Sequence, residues 1–321
     1  MPDSAPPDSG PSGSGPPDSG PSGSGAGTLF LVPTPIGNHR DISSRAADVL
    51  RDAAVIAAED TRTAGSLLRA LGIRARLLSY YDFNEQARSD QLLRLLLEGQ
   101  DVAVISDAGT PLVSDPGFRI VRAAIAAGLR VCPLPGPSAA LTALIGSGLP
   151  AHRFEFAGFL PRKPAARRTA IGLLGGSPAT LIFFEGPHRL AATVADLRSV
   201  LGDRDAVLAR NLTKADEEFL RGRLSALEAE LTARAATAPG IRGEFTVLVA
   251  GADEADTEAA EQLASQLARS LLRRDVPAHV ARDVVREVTG LPRNQVYRAI
   301  QAASDSGQPD GEPGHPEKEP G

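Results

Sequence analysis

Two consecutive α/β domains with a small helical domain behind them are what this chain predicts, on three observations. Between Gly27 and Pro150, short continuous apolar runs alternate with amphipathic stretches. Between Ala151 and about Gly251 a second set of apolar runs recurs, and from Thr257 to Ala303 only helical periodicity remains. Brief apolar runs followed by a 3.6-residue period read as βαβ units, with strands in a mainly parallel sheet buried on both faces.

The elements follow in order. In the first block "LFLV" precedes "SRAADVLRDA", "AVIAAE" precedes "AGSLLRALG", "DVAVIS" precedes "FRIVRAAIAAG", and "RVCPL" precedes "SAALTALIGSG". The second block holds "TLIFFE", a helix around "LAATVADLRSVLG", "DAVLARNL", a charged helix, and a closing strand "EFTVLVAG". The third reads as "EAAEQLASQLARSLLRR", a turn at "DVP", "AHVARDVVREV", a turn at "TGLP", and "RNQVYRAIQAA". Three short helices with a glycine in the second turn suit a helix-turn-helix variant or a docking module.

The two ends stand apart. Residues 1–26 contain "PPDSGPSGSG" twice in tandem, and residues 304–321 are rich in Gly, Pro and acids, so both are expected to be disordered tails. This gives domains at 27–150, 151–253 and 257–303. The formal net charge is −5, yet the N-terminal tail carries −3 and the C-terminal tail −4, which leaves +2 between them. One cysteine, Cys132, excludes an internal disulfide and a cysteine-based zinc site, so no metal is expected. With no apolar run near the ~18 residues of a membrane span and no signal-peptide pattern, a cytoplasmic protein is expected.

Ligands of parallel α/β sheets collect beyond the carboxyl ends of the strands. The loops there are "PTPIGN" (33–38), "EDTRT" (59–63), "SDAGTP" (106–111), "PGPSA" (135–139) and "EGPHR" (185–189). Neither G-x-x-x-x-G-K-[ST] nor G-x-G-x-x-G occurs, so a polyphosphate-bearing ligand is not indicated. Asp107 and Asp115 would repel phosphates but suit hydroxyls, an ammonium or a sulfonium, and Gly109 lets the backbone approach an adenine or a carboxylate. "PRKPAARR" gathers Arg162, Lys163, Arg167 and Arg168 before the next helix, a cluster that suits nucleic-acid phosphates as well as plain solvent. Glu59, Asp60, Asp82, Glu85, Glu185 and His188 all lie in candidate loops as proton acceptors.

Two function classes fit these residues taken alone. A metal-dependent phosphohydrolase would use Glu59, Asp60, Asp107 and Asp115 as magnesium ligands. A non-catalytic nucleic-acid-binding regulator would rest on the helical domain and the basic segment. The glycine-rich loops themselves ask for a ligand that is polar, partly cationic and not dominated by phosphate.

The segments "LFLVPTPIGNHRDISSRA", "AAEDTRTAGSLL", "VISDAGTPLVSDPG", "PLPGPSAALTAL", "FAGFLPRK", "LIFFEGPHRL", "LARNLTK" and "GEFTVLV" resemble the tetrapyrrole methylase superfamily, the class III methyltransferases, in its ribosomal-RNA-modifying branch. The resemblance runs from about Leu29 to Gly251, and the helical end resembles that branch's helix-turn-helix-like domain. It implies methyl transfer from S-adenosylmethionine to the ribose 2'-hydroxyl of a cytidine in the decoding centre of 16S ribosomal RNA. It also implies a homodimer, the assembled small ribosomal subunit as substrate, and a cofactor cleft between the two α/β domains. Carried onto matching positions, the cofactor residues are Pro35, Ile36, Asp107, Gly109, Thr110, Ser138, Ala139 and Thr246. The catalytic candidates are Glu59, Asp60 and Arg62 as organisers, with Glu185 or His188 near the hydroxyl; Arg162, Lys163, Arg167 and Arg168 would meet RNA. Within the superfamily a tetrapyrrole or a protein is the alternative substrate. The chain departs from the branch at "YDFNE" (81–85), where histidines are frequent, and at "TKADEEF", where an aromatic often follows.

Overall fold

The computed structural model describes residues 25–81, 83–252, 254–291 and 293–305. Asp82 and nearly all of both tails lie outside them. The chain forms two compact units: residues 25–32, 44–107 and 116–134, and then 33–43, 108–115 and 135–305.

The first unit carries a five-stranded parallel sheet. Its strands are β1 (Leu29–Leu31), β2 (Val55–Ala58), β3 (Leu77–Ser79), β4 (Val102–Ile105) and β5 (Val131–Pro133), in the order β3-β2-β4-β1-β5. Helices α1 (Ser44–Asp52), α2 (Thr61–Ala70), α3 (Glu85–Leu97) and α4 (Phe118–Ala126) make the crossovers that parallel neighbours require. All four residues of β2 and of β4 are buried, as expected for strands covered on both faces. Leu29, Val55, Ala57, Leu92, Leu96, Val104 and Ile120 form the core. The pair β3 and α3 adds to the units read from the sequence.

The second unit carries a mixed sheet: β6 (Phe154–Phe159), β7 (Thr180–Glu185), β8 (Asp205–Arg210), β9 (Glu218–Arg223) and β10 (Phe245–Val249), in the order β6-β7-β10-β8-β9. Only β6 and β7 pair in parallel; β10 runs antiparallel to β7 and β8, and β9 antiparallel to β8. The charged helix expected after "DAVLARNL" is α8 (Leu224–Ala235), and before it comes a strand that the sequence reading lacked, since "EFLRGR" pairs along the whole of β8. Alternate residues serve two cores. Leu181, Phe183, Leu208, Val247 and Val249 face α6 (Pro164–Leu174), α7 (Pro187–Leu201) and α8, whereas Ile182, Val207, Ala209 and Leu248 face α5 (Ala139–Ser147). That period-2 alternation sends neighbouring side chains to opposite faces.

Three helices close the chain: α9 (Glu254–Leu272), α10 (Ala278–Thr289) and α11 (Arg293–Asp305), around a core of Ala264, Ala268, Ala281, Val285, Leu291, Val296 and Ile300. Gly290, in the left-handed region at φ +66°, ends α10. Among the described residues no helix is long and apolar enough to cross a membrane.

Candidate functional site

The glycine-rich loops follow β1, β4 and β5, which are neighbours in one sheet, and hydrogen bonds join them in the second unit. Thr34 and Gly109 exchange both backbone bonds, each 2.9 Å, as an isolated antiparallel bridge. Thr110 Oγ1 donates to the Pro137 carbonyl at 2.9 Å, and Asn38 N donates to Thr213 Oγ1 at 2.9 Å. Three loops far apart in sequence are thus fixed to one another, with the Asn211–Lys214 turn as a fourth. The last belongs to "LARNLTK", a segment the sequence carries as part of the resemblance but to which sequence reasoning gave no role at the site.

Backbone conformation marks "SDAGTPLVSDPG" as unusual. Gly109 stands at φ +83°, and the non-glycine residues Leu112 and Ser114 each stand at +71°. For a bulky L-residue this region costs of order 1–2 kcal/mol, and such strain concentrates where a site must be shaped. Space adds a second demand at Gly109, where a Cβ would stand 3.3 Å from Ile36 Cγ2.

The cofactor candidates surround this framework. Pro35 is buried and Ile36 is half-buried against the Ala140–Leu144–Leu248 cluster, which Ala139 also joins. Thr246 is buried on β10, where strand alternation sets it on the same face as Leu248. Ser138 caps α5 by accepting the Leu141 amide at 3.5 Å. Pro35, Ile36, Gly109, Thr110, Ser138, Ala139 and Thr246 therefore all belong to the second unit. They supply apolar surface, backbone amides and hydroxyls without a cation.

In the first unit, the Asp60 amide donates to Asp107 Oδ1 at 3.0 Å. Asp60 caps α2 by accepting the Arg62 amide at 2.8 Å, and the Arg62 guanidinium meets both its oxygens at 2.7–3.2 Å. The Arg62 side chain holds the Asp60 carboxyl down at about 2. Asp107 is exposed and Glu59 is half-buried. Glu85 is engaged structurally: it accepts the Gly117 amide at 3.1 Å and the Tyr80 hydroxyl at 3.3 Å, and it pairs with Arg119. Burial pushes the Tyr80 phenol up to about 12, with Glu85 adding to the rise.

Glu185 and the basic segment lie in the second unit. Glu185 is buried and accepts Thr193 Oγ1 at 2.7 Å and the Gly186 amide at 2.9 Å. It also pairs with Arg189 at 3.0 Å. Arg189 in turn donates to the Leu160 carbonyl at 2.8 Å, fixing the chain just before "PRKPAARR". His188, three residues on, is exposed in the first turn of α7. The basic segment is only partly a loop, because Pro164 starts α6, a position its fixed φ favours. Arg162, Lys163 and Arg168 are exposed. Arg167 is buried and bonded to Asp196 at 2.6–2.7 Å, so its charge is committed to joining α6 to α7. Among the described residues no group of three or more His, Cys, Asp or Glu is placed to hold a metal ion.

Comparison with known proteins gives concordant results. The profile of the tetrapyrrole (corrin/porphyrin) methylases matches residues 28–228, leaving α9–α11 outside it. A protein of Micromonospora olivasterospora named "Ribosomal RNA small subunit methyltransferase I" is 58% identical over 284 residues, covering 88% of this chain and 90% of its own. One of the same name from Xylella fastidiosa (strain Temecula1) is 46% identical over 272 residues, covering 84% and 98%. Among solved structures, the methyltransferase CobJ superimposes with a TM-score of 0.53 at 20% identity, covering 71% of this chain and 95% of that one. At that identity the likeness speaks for the fold.

Proposed function

The chain belongs to the tetrapyrrole methylase family, in its ribosomal RNA small subunit methyltransferase I branch, and from that premise we propose its reaction. It transfers a methyl group from S-adenosylmethionine to the ribose 2'-hydroxyl of a cytidine in the decoding centre of 16S ribosomal RNA. The substrate is the assembled small subunit, and the enzyme works in the cytoplasm as a homodimer.

The observation that carries this reading is the Thr34–Gly109 bridge, with Thr110 tied to Pro137. It builds a close-approach backbone surface beside Ile36 and Ala139 in a loop set that has carboxylates and no phosphate-binding lysine. S-adenosylmethionine fits that donor set, since its adenine, ribose diol, ammonium and sulfonium call for apolar contact, amides and carboxylates. Bound there, it supplies an electrophilic methyl group. Gly109, Thr110, Ser138 and Ala139 hold the adenosine part with Pro35, Ile36 and Thr246, and Asp107 takes hydroxyls or the ammonium.

The residues have little covalent work to do, because in-line methyl transfer is governed by placement, which supplies roughly 7–11 kcal/mol in well-oriented systems. Asp60 and Arg62 fix the β2–α2 turn, and Glu59 stands one residue before it. Arg162, Lys163 and Arg168 hold the RNA backbone, while Arg167 and Glu185 act as positioning residues for that segment. His188, exposed where Glu185 is buried, takes the hydroxyl proton; general-base assistance of this kind is worth about 10²–10⁴-fold.

The test is transfer of labelled methyl from S-adenosylmethionine to small subunits from a strain lacking this protein. Label in 16S RNA of assembled subunits, with none in tetrapyrrole or protein acceptors, is expected. Labelling of one of those acceptors instead would replace the RNA substrate.

A further inference from the structure

A slip in strand pairing sets one exposed aromatic, Phe159, among the cofactor candidates of the second unit. Strands β6 and β7 pair in step from Phe154 on Thr180 to Phe156 on Ile182, and then the register shifts, so that Gly158 pairs with Phe183 and Phe159 with Phe184. Ala157 is the extra residue of this bulge. In an unbroken strand Phe159 would alternate onto the face of Leu181 and Phe183, which packs against α6, α7 and α8. The bulge moves it to the face of Ile182, Phe184 and Leu248, the one that packs against α5. Bulges recur beside active sites because they re-aim a side chain in this way.

A row then crosses three strands. Phe159 pairs with Phe184, and Phe184 with Thr246 on β10, which places all three on one face. Two strand spacings, about 10 Å, separate Phe159 from Thr246. Phe184 packs on the cluster that also holds Ile36 and Ala139, and its ring meets Phe159 edge-to-face at 5.6 Å and Phe156 at 4.8 Å. The backbone of Phe159 is pinned on both sides. Gly158 is buried at φ +63°, where a Cβ would stand 3.2 Å from Ser114 Oγ, and Leu160 is buried with its carbonyl accepting from Arg189 at 2.8 Å. Phe159 itself is 60% exposed. A ring fixed by its neighbours and still open to solvent offers a surface to a second ring. Arg162 and Lys163, both exposed, follow within at most about 14 Å of chain.

We propose that Phe159 is the stacking platform for the base of the nucleotide being methylated, with Arg162 and Lys163 on its flanking phosphates. An unpaired base is the feature of RNA that an aromatic ring takes, and cations three and four residues on take the backbone beside it. Stacking the base also fixes the attached ribose, which is what in-line transfer to a 2'-hydroxyl demands. The inference deepens the RNA-methylation reading and rests on it for the identity of the nucleotide.

The chain has no tryptophan, so Phe159→Trp places a single indole fluorophore at the platform. Full-length F159W, with saturating S-adenosylmethionine present, is titrated with a short oligocytidylate and with an abasic ribose-phosphate chain of the same length. The oligocytidylate should quench the indole and the abasic chain should not. In parallel, methyl transfer to small subunits is measured for F159A, F159L, F159Y and F159W. Alanine and leucine should each raise the subunit KM about tenfold or more, with kcat, cofactor affinity and melting temperature held, because a stacked base is bound equally before and during transfer. Tyrosine and tryptophan should recover most of the loss, and leucine separates stacking from apolar bulk. Equal responses to the two chains, or a wild-type KM in F159L, would overturn the inference. So would a loss in F159A that falls on cofactor affinity, melting temperature or oligomeric state. Quenching by oligocytidylate in a protein that methylates no subunits would instead sink the proposed reaction and leave the platform standing.

Discussion

Gly109→Ala isolates the demand that the loop framework makes on the backbone. The residue sits at φ +83°, where an L-alanine is disfavoured by about 1–2 kcal/mol. Its new methyl would stand 3.3 Å from Ile36 Cγ2, tighter than ordinary contact but against a side chain that can yield a little. Keeping the two 2.9 Å bonds to Thr34 therefore means accepting that strain, and relaxing φ means losing them. If the bridge must be intact to hold S-adenosylmethionine, 1–2 kcal/mol corresponds to a Kd about 5–30-fold higher. The control is Gly72→Ala, at φ +67° with nothing within 4 Å of the added Cβ. It carries a similar backbone penalty in open space and belongs to the first unit, after α2. Isothermal titration should show weaker cofactor binding for G109A alone, with both variants losing stability by denaturant titration. Equal cofactor affinity in G109A and wild type would refute the coupling of the bridge to the cofactor.

Two further outcomes follow from the electrostatics. Asp196→Ala strands the buried Arg167 guanidinium, a loss of about 3–5 kcal/mol, which for a domain of this size lowers Tm by roughly 6–20 °C; R167M/D196L should recover most of it in calorimetry, and an unaffected D196A would show the pair to be idle. Stability should fall at both pH extremes. Asp60, held down by Arg62 at about 2, and Glu218, lowered by its hydrogen bonds from Arg234, contribute above the ordinary carboxylate range and lose that contribution as pH falls through their folded values. Tyr80 runs the other way: folded, it keeps its proton to about 12, so its contribution is complete below 10 and is lost as pH rises from there through 12. Tyr80→Phe should flatten that alkaline limb in a pH series of chemical denaturation, and an unaltered limb would assign it to another group.

Legibility in the sequence followed the range of the forces involved. The strands β2 and β4 showed as unbroken apolar runs because both faces are covered, β1 and the edge strand β5 showed as short apolar runs, and the loops after β1, β4 and β5 showed through Gly and Pro. The edge strand β3 offered only three half-buried residues, too short a run to separate from the loop around it. "EFLRGR" carries the charges of an edge strand and no continuous apolar run, and only pairing with β8 decides its conformation. The same limit applied to the site. Gly109 was singled out from residue type alone, but its bridge to Thr34 joins positions 75 residues apart in the chain. Nothing local distinguishes Arg167 from Arg168, yet Arg167 is buried on Asp196, 29 residues away, while Arg168 meets the same carboxylate at 3.1 Å and stays exposed. Glu185 likewise looked available until Thr193, Gly186 and Arg189 were found around it.

The central claim is that the methyl group goes to a ribose oxygen of one cytidine. The direct measurement is to digest 16S RNA from subunits methylated by this protein to nucleosides and identify the labelled one by mass spectrometry. The account predicts a single 2'-O-methylcytidine, released from a decoding-centre fragment and missing when His188→Ala protein is used. Label on a base carbon or nitrogen, or on ribose outside that fragment, would contradict it.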